Sequence, residues 1–436
     1  MTTSNKRIII VGAGASGLYA ARALAKEGYQ ILIVEARDRV GGRINTIKPK
    51  GFFTNIEAGA EFIHGKGDTI SGLIKEASLK SIKVEGEIWR KKNNELDLAE
   101  DFIEDDEILI KELKALKEDT SVKNFIDQRF SGSTHQELKD SVIKYVEGYD
   151  AADTSKASAF ALCEEWMQAK DMEQYRCEGG YIELISFLEK ECIEAGCTFH
   201  LSSPVHTIRW KQNHVEVIGN NIEISAEKAI ITIPLGILQL PTESDGAIQF
   251  SPALADKRAA AKAMGFGPVI KISLQFDKPF WKMDPVKNNT GKDLKELGFL
   301  FTNESVPTWW TQLPEESPIL TGWISGPNVT NFNTKDDQTI LDEAILSLAN
   351  VFDLPFAEIQ AKLTAWHIYN WLTDPFSRGA YSYATVETNH SRKVVAEPVA
   401  DTLYFAGEAL YEEEAGTVEA AFASGKEVAK KIISKK

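Results

Sequence analysis

The chain has 436 residues, 43% of them hydrophobic and 26% charged, with a formal net charge of −15. That length predicts two domains of an ordinary water-soluble protein. The acidic excess argues against a nucleic-acid partner, whose phosphates reward clustered Lys and Arg, and it suits a cationic substrate. Cys163, Cys177, Cys192 and Cys197 form neither a CxxC pair nor a zinc spacing, so reduced thiols are expected, with no disulfide framework and no metal. No apolar run approaches the ~20 residues of a membrane span.

At the N-terminus, "MTTSNKRIIIVGAG" has too short an apolar run for an export signal, which points to a cytoplasmic location. Residues 7–11 read as a buried parallel strand. Gly12, Gly14 and Gly17 follow as G-x-G-x-x-G, then an apolar helical stretch, a second strand over 30–34, and Glu35 at its end. Gly12 permits the tight turn, Gly14 lets the backbone approach a pyrophosphate, and Gly17 lets helix and strand pack closely. Ala15 and Ser16 stand at the helix N-terminus, where unpaired N–H groups favour phosphate. Glu35 can accept from ribose hydroxyls. Strand, turn, helix, strand and acid together predict a dinucleotide site. "EARDRVGGR" then sets Ala36, Arg37, Gly41, Gly42 and Arg43 directly after that acid.

Further along come "IEAGAEFIHG" at 56–65, the acidic run "ELDLAEDFIEDDE" at 95–107, and "RCEGGYIELISFLEKECIEAGCTFHLSSPVHTIRW" at 176–210. The acidic run reads as a solvated face at the start of a helix, or else as the mouth of a tunnel for a cationic substrate. "SPALADKRAAAKAMGFG" reads as a helix ended by its glycines. In "VIKISLQF", Ile270, Ile272, Leu274 and Phe276 share one face of a strand and Lys271, Ser273 and Gln275 the other. Taken alone, that window is a half-buried strand with Lys271 in solvent. "YNWLTDPFSRGAYSYATV", "YFAGEAL" and "AGTVEAAFASGKEVA" complete the set toward the C-terminus.

These stretches together resemble the flavin-dependent amine oxidase superfamily: polyamine oxidases, monoamine oxidases and the lysine-specific histone demethylases. The resemblance implies an α/β fold, with a Rossmann-like FAD-binding domain interleaved with an α+β substrate domain carrying a mixed or antiparallel sheet. It assigns 1–81, 177–264 and 393–436 to the first, and 82–176 (mostly helical) and 265–392 to the second. It implies contacts to FAD from Gly42 and Arg43, from Gly59, Ala60 and Glu61, from Val205 beside the adenine, and from Trp371, Gly407, Glu408, Thr417 and the N–H of Val418. It turns Lys271 from a solvated charge into a lysine that holds a water by flavin N5, and makes Tyr381 a wall of the substrate cage. His64 matches a polar active-site position of several polyamine oxidases. Ala380 stands where covalent monoamine oxidases carry cysteine, so non-covalent FAD is expected.

The sequence departs from the family at Thr417, where monoamine oxidases have the opposing cage tyrosine, and at Glu419, where relatives commonly have histidine. Phe62 stands where amino-acid oxidases place an arginine, so the carboxylate clamp is missing. The implied activity is oxidation of an amine C–N bond, polyamine-like substrates favoured, by hydride transfer to FAD with dioxygen as acceptor and hydrogen peroxide as product. An amino-acid oxidase or another flavin oxidoreductase is the alternative, and a non-catalytic FAD-binding protein is the alternative of another class. Expected partners are a small amine and dioxygen, without nucleic acid or membrane, in a monomer or homodimer.

Overall fold

A computed structural model describes residues 6–435 apart from 66, 93–94, 100–105, 133 and 170–172. Its centre is a five-stranded parallel sheet in the order Thr198–His200, Gln30–Val34, Arg7–Val11, Lys228–Ile231, Leu403–Phe405. Ile8, Ile10, Ile31 and Ile33 bury one face against the helices Ala15–Lys26, Tyr181–Glu194 and Val418–Ile433. Ile9, Val11, Val34 and Ile231 bury the other against a four-stranded layer that includes Val205–Lys211 and His214–Gly219. Sheets buried on both faces need apolar residues at successive positions, hence the "RIIIV" and "QILIV" runs.

A second core lies on a seven-stranded mixed sheet in the order Leu363–Asn370, Val269–Phe276, Ile319–Ser325, Thr308–Trp310, Leu297–Phe301, Glu87–Lys92, Glu95–Leu98. It packs on the helix Asp337–Phe352 through Ile340, Ala344, Ile345 and Leu348. The helices Val122–Arg129, Gln136–Gly148 and Ala159–Ala169 build a third cluster around Phe125, Val142 and Trp166. The fold is thus a Rossmann-like domain interleaved with an α+β domain whose sheet is mixed.

Three local expectations change. Residues 95–98 form the edge strand of the large sheet rather than a helix start, and the helix begins at Asp106; the part of the acidic run at 100–105 lies outside the described residues. The mostly helical stretch therefore also donates two strands. Gly265–Gly267 does not simply end the helix Ala255–Ala263. It pairs as a strand with Tyr381–Tyr383, and a Cβ on Gly265 would sit 2.4 Å from the Tyr383 ring. The polar face of Val269–Phe276 does not meet water, because residues 51–61 lie across it: Gln275 bonds Phe53 N and the Gly51 carbonyl, Lys271 bonds the Gly59 carbonyl and Glu61, and Lys271, Ser273 and Gln275 are all buried.

The N- and C-terminal helices of the first domain cross closely. A Cβ on Gly425 would fall 2.3 Å from the Ser16 carbonyl oxygen, whereas one on Gly72, exposed in the helix Asp68–Glu76, would meet nothing within 4 Å. Gly425→Ala should lower stability by about 1–3 kcal/mol through overpacking. Gly72→Ala should raise it by up to about 1 kcal/mol from helix propensity alone; denaturant titration of the two variants checks both signs.

Candidate active site

A cavity of about 1370 Å³ runs between the two domains. Of the residues singled out from the sequence, Gly12, Gly14, Ala15, Ser16, Glu35, Ala36, Arg37, Gly42, Arg43, Gly59, Ala60, Glu61, His64, Val205, Lys271, Trp371, Tyr381, Gly407, Glu408, Thr417 and Val418 all line it. Gly17 does not; a Cβ there would fall 2.1 Å from the Gly12 carbonyl oxygen, so its place is the helix–strand crossing.

The nucleotide end can be tested for fit. Gly14 has nothing within 4 Å where a Cβ would stand. Beside it, Ser16 Oγ is buried with no partner among the described residues, at the N-terminus of the helix Ala15–Lys26. An open cradle, an orphaned hydroxyl and a helix N-terminus suit a pyrophosphate. Glu35 Oε2 accepts from Ala13 N at 2.7 Å and Oε1 from Arg37 N at 2.9 Å; burial raises its pKa above the carboxylate norm despite these bonds. Arg37 forks onto Asp374 at 2.9 and 2.6 Å, and Arg43 bonds Glu408 Oε1 at 2.7 Å and the Ala380 carbonyl at 2.8 Å. Both arginines tie the cofactor-side loops to the C-terminal third before they touch any ligand.

At the other end Lys271, with a side chain only 2% exposed, donates from Nζ to Glu61 Oε2 at 2.6 Å and to the Gly59 carbonyl at 3.1 Å. An ammonium has three N–H donors, so one remains for the cavity that Lys271 lines. Glu61 Oε1 accepts from Arg176 Nε at 2.9 Å and Trp310 Nε1 at 3.0 Å. Burial pushes the Glu61 carboxyl up, but the Lys271 and Arg176 charges and the bonds from Lys271 and Trp310 outweigh it and hold it below the usual range. Glu61, expected among the cofactor contacts, lines the cavity and spends its carboxylate on these protein donors.

Aromatic rings wall the space above. Trp323 stacks on Tyr381 with centroids 6.4 Å apart, and Trp310 stands 5.7 Å from Trp323 and 5.5 Å from Phe62. The Tyr381 hydroxyl donates to the Tyr149 carbonyl, and Trp371 Nε1 to the Ala58 carbonyl at 2.9 Å. His64 Nδ1 lies 3.1 Å from the Tyr149 hydroxyl, and burial lowers its pKa to about 4. A ring this weakly basic is neutral near pH 7. Thr417 caps the helix Val418–Ile433, accepting from Ala420 N at 3.1 Å; Val418 begins that helix, so its N–H has no intrahelical partner. Glu419 turns away, accepting from Thr69 N at 2.9 Å and Ile70 N at 2.6 Å to cap the helix Asp68–Glu76.

Several lining residues carried no signal in the sequence. Thr232 Oγ1 donates to the Val11 and Gly12 carbonyls, under the tight turn. Asp150 and Glu165 are carboxyls deep in the protein, hydrogen-bonded to each other and lining the cavity. Burial and their mutual repulsion raise the pKa of Asp150, and burial that of Glu165.

Residues 15–433 match the family described as flavin containing amine oxidoreductase. The chain belongs to that family. It is 28% identical to human lysine-specific histone demethylase 2 over 99% of its own length and 54% of that protein's, and 25% identical to polyamine oxidase 2 of Arabidopsis thaliana over 98% and 87%. It thus spans about half the length of the histone demethylase. Among solved structures, wild-type putrescine oxidase bound to putrescine superposes with a TM-score of 0.78 at 21% identity, covering 98% of this chain and 99% of that one. Cyclohexylamine oxidase from Brevibacterium oxydans IH-35A does so with a TM-score of 0.78 at 20% identity and the same coverage. At such identities these two oxidases show the fold of this chain alone; its family membership gives it a flavin as resident group. Among the described residues, no helix is long and apolar enough to cross a membrane.

The His64 pKa sets a pH dependence. Lowered from 6.5 to about 4, it stabilises the fold above about pH 6.5, and that contribution is lost as pH falls toward 4. NMR should show the His64 ring neutral down to about pH 5, and stability should fall more steeply between pH 6.5 and 4 in the parent than in His64→Gln.

Proposed function

We propose that the protein is an FAD-dependent amine oxidase acting on a polyamine-like primary or secondary amine. The observation that carries this reading is a buried ammonium, Lys271, in one cavity with the dinucleotide fingerprint. FAD held there would supply the two-electron acceptor for oxidising the amine to an imine, with dioxygen as the final acceptor and hydrogen peroxide as product. The turn at Gly12, Gly14 and Ser16 would hold its pyrophosphate, Glu35 its ribose, Val205 its adenine side, and the N–H of Val418 the pyrimidine edge. Non-covalent binding is supported by Ala380, and none of the four cysteines lines the cavity among the described residues.

The chain's own residues orient the substrate. Trp323 and Tyr381 offer flat apolar faces to its carbon chain, which confines the α-carbon and excludes water. The free N–H of Lys271 Nζ holds a water at the reacting end, and that water carries protons without a protein base. His64, neutral, can accept from a neutral amine but cannot ionise it. A cationic second amine is supported by Asp150 and Glu165, carboxyls on the cavity wall whose charged forms burial disfavours and a neighbouring ammonium would favour. Arg176, whose guanidinium lies 4.8 Å from the centre of the Phe62 ring, is engaged by Glu61, Thr311 and Leu313, which disfavours a carboxylate-bearing substrate.

The test is anaerobic bleaching of the reconstituted yellow protein by spermine, acetylated polyamines, aromatic monoamines and amino acids in turn. Di- and polyamines should bleach it and amino acids should not; bleaching by amino acids alone, or by nothing, would overturn the assignment. Lys271→Met should keep FAD bound and slow either flavin reduction or reoxidation at least tenfold in stopped flow.

A further inference from the structure

We infer that Glu61 is the positioning residue for Lys271 and sets the net charge beside the flavin. The inference rests on the cavity being the flavin seat, and it concerns a residue whose place in the "GAEFIHG" stretch suggested only cofactor contact. Glu61 is buried, with a side chain 5% exposed, yet it meets two cations and an indole: Lys271 Nζ at 2.6 Å, Arg176 Nε at 2.9 Å and Trp310 Nε1 at 3.0 Å. One carboxylate therefore fixes the ammonium against the cavity wall from below, while Arg176 is itself locked by the Thr311 and Leu313 carbonyls at 3.1 Å each. Lys271 cannot swing: its remaining anchor is the Gly59 carbonyl, on the same segment as Glu61.

The charges can be counted. Glu61 carries one negative charge and Lys271 and Arg176 one positive charge each, so the cluster is net plus one. Without Glu61 it is plus two; without Lys271 it is neutral; without both it is plus one again, like the parent. Inside a buried site such charges are weakly screened. A more positive cluster favours the anionic, reduced state of a bound flavin, and a less positive one disfavours it. A merely structural Glu61 would give no such inversion of sign.

The experiment is a spectroelectrochemical measurement of the flavin midpoint potential in the FAD-loaded parent, E61Q, K271M and the double variant. E61Q should raise the reduced-to-oxidised ratio at the parental midpoint at least tenfold, about 30 mV upward for a two-electron couple. K271M should lower it at least tenfold, and the double variant should return to within threefold of the parent. The double variant also keeps the test open if E61Q leaves an unpaired buried ammonium and fails to fold, since it removes that ammonium too; in that case its return to the parental value against a lowered K271M decides. Potentials of E61Q and K271M that move in the same direction, or a double variant that stays with K271M, would overturn the role of Glu61 alone. A parent that takes up no FAD would overturn the functional reading, and this inference with it.

Discussion

A charge cannot stay inside a protein without a partner, and the burial of Lys271 on the second strand of a seven-stranded sheet imposes that constraint on everything around it. Its partner, Glu61, comes from a short segment of the first domain, and Glu61 in turn gathers Arg176 and Trp310 from two further parts of the chain. The ion pair therefore joins the large sheet to the nucleotide-binding layer at the one place where a redox cofactor and a substrate would meet. Of the aromatic wall, Trp310 and Trp323 stand on neighbouring strands of that sheet, and Tyr381, from a separate two-stranded sheet, stacks on Trp323.

The rest of the domain contact is built the same way, from charged groups crossing long sequence distances. Arg37 reaches Asp374, and Arg43 reaches Glu408, so the loops after the second strand are held by segments more than three hundred residues away. Glu419 caps the helix Asp68–Glu76 from the first turn of the last helix. These links make the cofactor cradle a product of the whole chain rather than of its N-terminal fingerprint, and cofactor binding should stabilise both domains together.

The parts legible in the sequence are those whose physics is local. Glycines at 12, 14 and 17 impose backbone paths, and the "RIIIV" and "QILIV" runs require two covered faces. Whether Lys271 faced solvent or a cavity could not be settled from alternation, since both place polar residues at every second position; only the resemblance tipped it, and the segment carrying Gly59 and Glu61 covers it. Arg176, Trp310, Asp150 and Glu165 were illegible for a different reason. Their meaning lies in which strand or helix packs beside them, and discontinuous domains leave no linker to announce that. The acidic run misled because acids suit a helix start as well as an exposed edge strand, and Glu95–Leu98 takes the second option.

The most direct test of the central claim is a crystal structure of the FAD-loaded protein. The ammonium of Lys271 should remain on Glu61, inside the cavity, with its third N–H directed at a water beside the isoalloxazine ring. A lysine turned out into bulk solvent, or a flavin ring seated away from that ion pair, would contradict the account.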